Sequence, residues 1–376
     1  MTQGETQVAT ITAEDLTALT DSVHRLLQDK STETDVRRTM ETPEGYDPAL
    51  WAQLAEMGVV GVAIDEEYGG VGAGPVALER VMEEAGAALL CSPLLSSVLA
   101  GAVVQALGDD GAKSRLLPGI ADGSKLATVA LTGAKGGWTA GGVAVNASGA
   151  GEAWTLDGAA SFVTHAQIAD VILVVAKTAD GLGVFEVGPS AAGLAVKPLP
   201  TFDHTLRLAD LSFAGTPARR LAATRPAWDA VEDALDLVRV ALAGEQAGAA
   251  KRALEFTVDY AKTRAQFGRL IGSFQAIKHM AADLLLESES AISAARAAAR
   301  GLADDAPDAK AAISLAAFAC ADAFSTITAT AIQMHGGIAF TWAHPAHLYL
   351  RRARADAQLF GTPAAYRERY LQALGA

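Results

Sequence analysis

The sequence predicts an α+β multidomain protein with an N-terminal α-helical domain, a central antiparallel β domain and a C-terminal four-helix bundle. Three features of the chain predict this. Apolar residues recur at helical spacing up to about residue 125, short β-prone runs alternate with turn residues from 126 to 225, and alanine-rich helical stretches follow. The domain boundaries are expected at 1–125, 126–225 and 226–376, and a chain of 376 residues can bury a large core.

In the first segment, Thr12-Ala-Glu-Asp15 is a capped helix start, and Leu50, Leu54 and Met57 repeat at helical spacing. Ile64-Asp-Glu-Glu-Tyr-Gly-Gly70 breaks that pattern with a glycine turn, after which Leu78, Val81, Met82 and Ala85 resume it. Gln105-Ala-Leu-Gly108 and Leu117-Pro118 read as further helix ends. The middle segment carries Val143, Val145, Trp154, Leu156, Val171 to Val175 and Val184-Phe-Glu-Val187 as short strands between Gly, Asp and Ser turns. Beyond Pro226 the expected helices cover Trp228 to Lys262, Gly272 to about Leu302, Lys310 to Met334, and a stretch past Pro345. Their short connections, such as Asp304-Asp-Ala-Pro307, imply antiparallel packing.

Composition excludes several functions. Although 51% of residues are hydrophobic, no uninterrupted apolar run is long enough to span a bilayer. The start, Met1-Thr-Gln-Gly-Glu5, is polar and acidic, unlike a secretory or transit peptide. Cys91 and Cys320 are far apart and lack metal-ligand spacing, so both read as small buried residues in a reducing compartment and no metal site is expected. A net charge of −13 opposes nucleic-acid binding, which needs a basic footprint. A soluble cytoplasmic protein is expected.

Three segments carry chemistry. Arg264-Ala-Gln-Phe-Gly268 runs into Ile271-Gly-Ser-Phe-Gln-Ala-Ile-Lys-His279 and is answered by Gln333-Met-His-Gly-Gly337. An arginine and a glutamine beside Phe-Gly, with a Gly-Gly pair that admits close backbone approach, suit a large phosphate-bearing cofactor. In order and spacing these segments resemble the flavin-binding signature of the acyl-CoA dehydrogenase family. The resemblance extends over nearly the whole chain through Leu50-Trp51, Glu66-Glu-Tyr-Gly-Gly70, Glu83-Glu-Ala-Gly86 and Leu117-Pro118.

The resemblance implies FAD as cofactor, held between the β domain and the bundle and reached by a neighbouring subunit. It implies that Arg264 holds the pyrophosphate, that Gln266 and Phe267 line the same region, and that Gln333, Gly336 and Gly337 meet the dinucleotide of an adjacent subunit. His335 lacks a carboxylate partner and reads as packed rather than catalytic. In the β domain, Leu131-Thr-Gly-Ala-Lys-Gly-Gly-Trp138 stands where the family has Thr-Glu-Pro-Gly-x-Gly-Ser over the flavin ring. Thr132 is retained there, and the resemblance implies that its hydroxyl bonds the flavin pyrimidine edge; the Glu-Pro pair and the serine are lost. Gly158-Ala-Ala-Ser-Phe-Val-Thr164 replaces a second family segment, Gly-x-Lys-x-Trp-Ile-Thr. Phe162 takes the place of the ring-shielding tryptophan, and Thr164 keeps a hydroxyl for the neighbourhood of flavin N5.

The family's base is absent from both its usual places. Dehydrogenation of a thioester needs a carboxylate for the α-proton, best held in an apolar site where desolvation raises its pKa. Phe360 occupies the first place, in Asp356-Ala-Gln-Leu-Phe-Gly-Thr-Pro363, and Val238, before Arg239, occupies the second. Glu245 lies on the same helix face as Val238, about 10 Å further along. A glutamate so placed resembles that of bacterial dehydrogenases acting on steroid side-chain thioesters, which are α₂β₂ heterotetramers. A charge among Ala, Gly and Leu is costly unless used or paired, so base and structural glutamate both stand as readings of Glu245.

Other charges read as structural. Arg351, Arg352 and Arg354 are expected in surface ion pairs, with CoA phosphate contact the alternative. Arg207, before the last β-domain strand, is read as structural, with a substrate-edge or interface role the alternative, and Glu66 and Glu67, at a glycine turn, are read as structural. The expected function is FAD-dependent oxidation of a bulky, branched or sterol-derived acyl-CoA to its trans-2-enoyl form, with electrons passed to an electron-transfer flavoprotein-type acceptor. The assembly is expected to be a homo-oligomer or an α₂β₂ hetero-oligomer with a paralogue. The alternative is a non-catalytic partner subunit that completes the FAD site of a paralogous chain.

Overall fold

The computed structural model describes residues 11–375, so the polar segment Met1–Glu5 lies outside the described residues. Six helices come first: α1 (Ala13–Lys30), α2 (Glu33–Thr39), α3 (Pro48–Glu56), α4 (Gly74–Ala87), α5 (Leu94–Leu107) and α6 (Asp110–Ala121). Thr12 caps α1 by accepting from the Asp15 amide, as the sequence indicates. Gly108, at φ 78°, ends α5 in the left-handed conformation that glycine adopts without strain. Leu117-Pro118 is a correction: Pro118 lies inside α6, in its last turn, and the helix stops only after Ala121.

Seven strands follow: β1 (Ala127–Ala130), β2 (Asn146–Ala150), β3 (Ala153–Thr164), β4 (Val171–Thr178), β5 (Gly181–Val187), β6 (Leu194–Pro198) and β7 (Leu208–Arg220). Pairings β4–β2, β2–β3, β3–β7, β7–β5 and β5–β4 close a ring, with β1 added beside β4 and β6 beside β7. Most pairings are antiparallel, while β1–β4 and the single contact β2–β4 are parallel. Val143 and Val145 precede β2 rather than forming it. The apolar run in β4 is explained by burial on both faces. Ile172, Val174 and Ala176 fill the interior of the ring, and Val171, Leu173 and Val175 pack on the N-terminal helices and the first bundle helix.

The bundle consists of α7 (Ala227–Thr263), α8 (Gln275–Ala303), α9 (Ala309–His335), α10 (Ala346–Asp356) and α11 (Pro363–Ala373). The expected fourth helix is thus two, broken where Phe360 takes φ 58° and Gly361 φ 149°. Between α7 and α8 sits a hairpin of β8 (Ala265–Gln266) and β9 (Arg269–Leu270). α7 is the central rod, packed on α4, α5, α8 and α9, which is why it carries alanine and glycine on all sides. A Cβ on Gly86 would lie 1.9 Å from the Glu245 carbonyl oxygen, and one on Gly248 1.8 Å from that of Glu83, so α4 and α7 meet backbone to backbone. α9 has the length and hydropathy of a membrane span, but its apolar side chains pack against α7, α8 and α11. Both cysteines are buried and free, and burial pushes the Cys91 thiol up to about 12.

Candidate active site

Glu245 sits midway along α7 with 5% of its surface exposed, and its partner is Arg352 of α10, also 5% exposed. Arg352 Nη1 donates to Glu245 Oε1. Its Nε donates to Asp203 Oδ2 at 2.8 Å, and its Nη2 to the Thr205 hydroxyl at 2.7 Å and the Thr205 carbonyl at 3.1 Å. Arg352 is therefore not a surface residue, correcting that expectation. Arg351 stacks on Phe202 and Trp342, and Arg354 is exposed. A buried guanidinium suits this position because its planar fork serves several acceptors at once. Arg239 instead pairs with Glu232 and Asp236, both at 2.7 Å.

Asp356 completes the buried cluster. Burial, reinforced by Glu245, raises its carboxyl well above the usual range, and its Oδ2 has no hydrogen-bond partner among the described residues. Glu245, Arg352 and Asp356 line a cavity of about 20 Å³ with Thr164, His165 and the start of α5. That volume admits about one water molecule. Burial, then Arg352 and Arg207, push His165 down to about 3, so it is a neutral ring and a poor proton acceptor. Glu245 is thus the carboxylate beside Thr164 that pairs with a cation.

Next to this cavity, across a shared wall of Leu206 and Leu359, lies a cleft of about 580 Å³ between the β domain and the α10–α11 corner. Phe162, Trp138, Gly136, Asp203 and Thr362 line it. Thr132 is buried, and its hydroxyl donates to the Gly137 carbonyl at 2.7 Å. Its proton is committed to its own loop, which leaves the hydroxyl oxygen free to accept. Phe360 is buried against Trp138, with ring centroids 5.1 Å apart.

The remaining expected residues gather at the far end of α7 and α9. Phe267-Gly268, at φ 51° and 75°, forms the tight turn of the β8–β9 hairpin. Phe267 is 92% exposed, and Arg264 and Gln266 beside it are exposed. Tyr260, one turn before Arg264, stacks on His335 at 4.4 Å, which brings Gln333, Gly336 and Gly337 to the same end. Gln333 and both glycines are exposed, and a Cβ on either glycine would meet nothing within 4 Å. His335 is buried, with Nδ1 2.8 Å from the Ala331 carbonyl. Arg351, stacked between Phe202 and Trp342, links this end to the cleft rim.

These residues fit FAD. The exposed arginine and open glycine backbone suit a pyrophosphate, and the aromatic-lined cleft has the size of a cofactor site. Arg207 is structural, donating to the carbonyls of Met40 and Thr42 at 2.7 Å each and so tying the helical domain to the β domain. The sequence reading missed Arg352, Asp203, Thr205 and Asp356 as one unit. Asp203 and Glu245 lie 149 and 107 residues from Arg352, and no local pattern links such distant positions.

Comparison with known proteins agrees with this architecture. Residues 13–124 match the model of the acyl-CoA dehydrogenase N-terminal domain, and residues 228–374 that of the C-terminal domain. Acyl-CoA dehydrogenase IpdE2 of Mycolicibacterium smegmatis is 34% identical over 354 residues, covering 93% of this chain and 96% of that protein. Among solved structures, a variant of the Tcur3481-Tcur3483 steroid ACAD is 31% identical with a TM-score of 0.87, covering 96% of this chain and 98% of its own. The ChsE4-ChsE5 complex from Mycobacterium tuberculosis is 28% identical with a TM-score of 0.88, covering 97% and 98%. The chain belongs to the acyl-CoA dehydrogenase family, flavoprotein oxidoreductases that act on acyl-CoA.

Proposed function

We propose that this chain, assembled with a paralogue in the cytoplasm, catalyses FAD-dependent α,β-dehydrogenation of a bulky, branched or sterol-derived acyl-CoA to the trans-2-enoyl thioester, passing electrons to an electron-transfer flavoprotein-type acceptor. The carrying observation is Glu245, a buried carboxylate beside Thr164, one leucine wall away from an aromatic cleft. Glu245 takes the α-proton. Arg352 holds one of its oxygens and orients the other, and the apolar wall excludes water. FAD, when bound, supplies the acceptor for the β-hydride. Arg264 would hold the pyrophosphate with Gln266 and Phe267 beside it, Gln333, Gly336 and Gly337 would meet the dinucleotide of an adjacent subunit, and Phe162 and Thr164 would flank the ring. The likeness to the steroid ACAD and to the ChsE4-ChsE5 complex supports a sterol-derived substrate and a paralogous partner.

The test is Glu245→Gln, which preserves shape and can still accept from Arg352. In the purified assembly, flavin content should persist while substrate-driven flavin bleaching slows about 10²- to 10⁴-fold. An unchanged rate places the base elsewhere. The partner-subunit reading is favoured by one observation: the cavity of about 20 Å³ has no room for an acyl chain unless Leu206 and Leu359 move.

A further inference from the structure

Trp138 occupies the loop where the family resemblance gives no aromatic residue. It lines the 580 Å³ cleft together with Phe162. Its indole cannot turn freely. Nε1 donates to the Gln358 carbonyl at 3.0 Å, and the ring meets Phe360 edge to face at 5.1 Å and 64°. The loop beneath it is equally fixed: Thr132 bonds the Gly137 carbonyl, Gly133 N bonds the Gly142 carbonyl at 3.0 Å, and a Cβ on Gly142 would lie 1.8 Å from the Gly137 oxygen.

Two neighbouring aromatic residues carry strain. Phe162 and Phe360 both sit at φ 58°, a left-handed conformation that is strained for a non-glycine residue and persists where the surroundings enforce it. Gly136, at φ 69°, brings the loop against β3, where its Cβ position is 3.7 Å from the Phe162 ring. A half-buried indole held rigid beside a second aromatic in an open cleft is a wall for a flat conjugated ligand. We propose that Trp138 packs against the isoalloxazine ring of FAD, supplying with Phe162 the aromatic shielding that a tryptophan at position 162 would otherwise give. This rests on the reading of the cleft as the flavin site.

The experiment is a titration of the flavin-stripped assembly with FAD, followed by flavin emission, for the wild type, Trp138→Phe and Trp138→Ala. Indole contact quenches flavin emission, so the wild-type bound flavin should be dim. Trp138→Ala should be several-fold brighter and bind FAD roughly 3- to 10-fold more weakly. Trp138→Phe keeps an aromatic ring but loses the indole and its bond to the Gln358 carbonyl; it should fold, brighten, and lose less affinity than Trp138→Ala. If Trp138→Ala does not fold, Trp138→Phe carries the test alone. Equal emission and affinity in a folded variant overturn the assignment while leaving the flavin reading intact. A wild-type assembly that takes up no FAD overturns both.

Discussion

Arg352 and Glu245 stand 107 residues apart and form a buried ion pair that ties α10 to α7 beneath the start of α5. Both lose hydration on folding, and their mutual attraction plus the bonds from Arg352 to Asp203 and Thr205 offset that loss. Removing the cation leaves carboxylates buried without compensation. Arg352→Met should therefore destabilise the fold by about 3–5 kcal/mol in urea denaturation. Adding Glu245→Gln should recover part of it, since the two residues are coupled. A loss below about 1 kcal/mol in the single variant would show the pair to be energetically idle.

Glu79 gives a pH dependence. It is 1% exposed on α4, and neither carboxylate oxygen has a hydrogen-bond partner among the described residues. Burial, then the neighbouring Glu83, raises its pKa from 4.5 to about 7. Below the unfolded value both states hold the proton and the contribution is complete. Between the two values the unfolded chain has released the proton that the folded chain keeps, so stability falls as pH rises and levels above the folded value. Glu79→Gln should remove this slope and be more stable than wild type at pH 8, by on the order of 3 kcal/mol. Parallel stability–pH curves for the two proteins would refute this.

The α4–α7 contact tolerates no side chain at its glycines. Gly248→Ala drives a Cβ into the Glu83 backbone and Gly86→Ala into that of Glu245, and overpacking of this kind costs about 1–3 kcal/mol. Both should lower the melting temperature. Gly86→Ala should also slow turnover, because it displaces the backbone that carries Glu245. Normal melting of both variants would mean that the helices separate without cost.

At the far end of the bundle, stability and cofactor retention should come apart. Arg264 is exposed, so Arg264→Ala should change stability by less than about 0.5 kcal/mol. Flavin retention should nevertheless fall, because a phosphate loses a charge-assisted partner. The check is the flavin-to-protein ratio of the assembled oligomer after gel filtration; full retention would remove Arg264 from the site.

The sequence by itself determined the three-part layout and the helices of the bundle, because apolar spacing, capping residues and turn glycines are local signals. It also determined the family, through segments whose residues lie within a few positions of one another: Arg264 to Gly268, Gln333 to Gly337. Local patterns failed where geometry is not local. Pro118 reads as a helix end, yet α6 runs one turn past it. One helix is expected past Pro345, yet two form there, separated at Phe360-Gly361. Only the tertiary structure decided that Arg352 is buried and that Asp203, Thr205 and Asp356 surround it. It alone decided that Glu245 is paired and that Thr132 commits its hydroxyl proton to its own loop. The physical reason is that a buried charge takes its partner from whatever the fold brings within hydrogen-bond reach. Here that reach spans α7, α10 and the turn before β7, and no spacing along the chain encodes it.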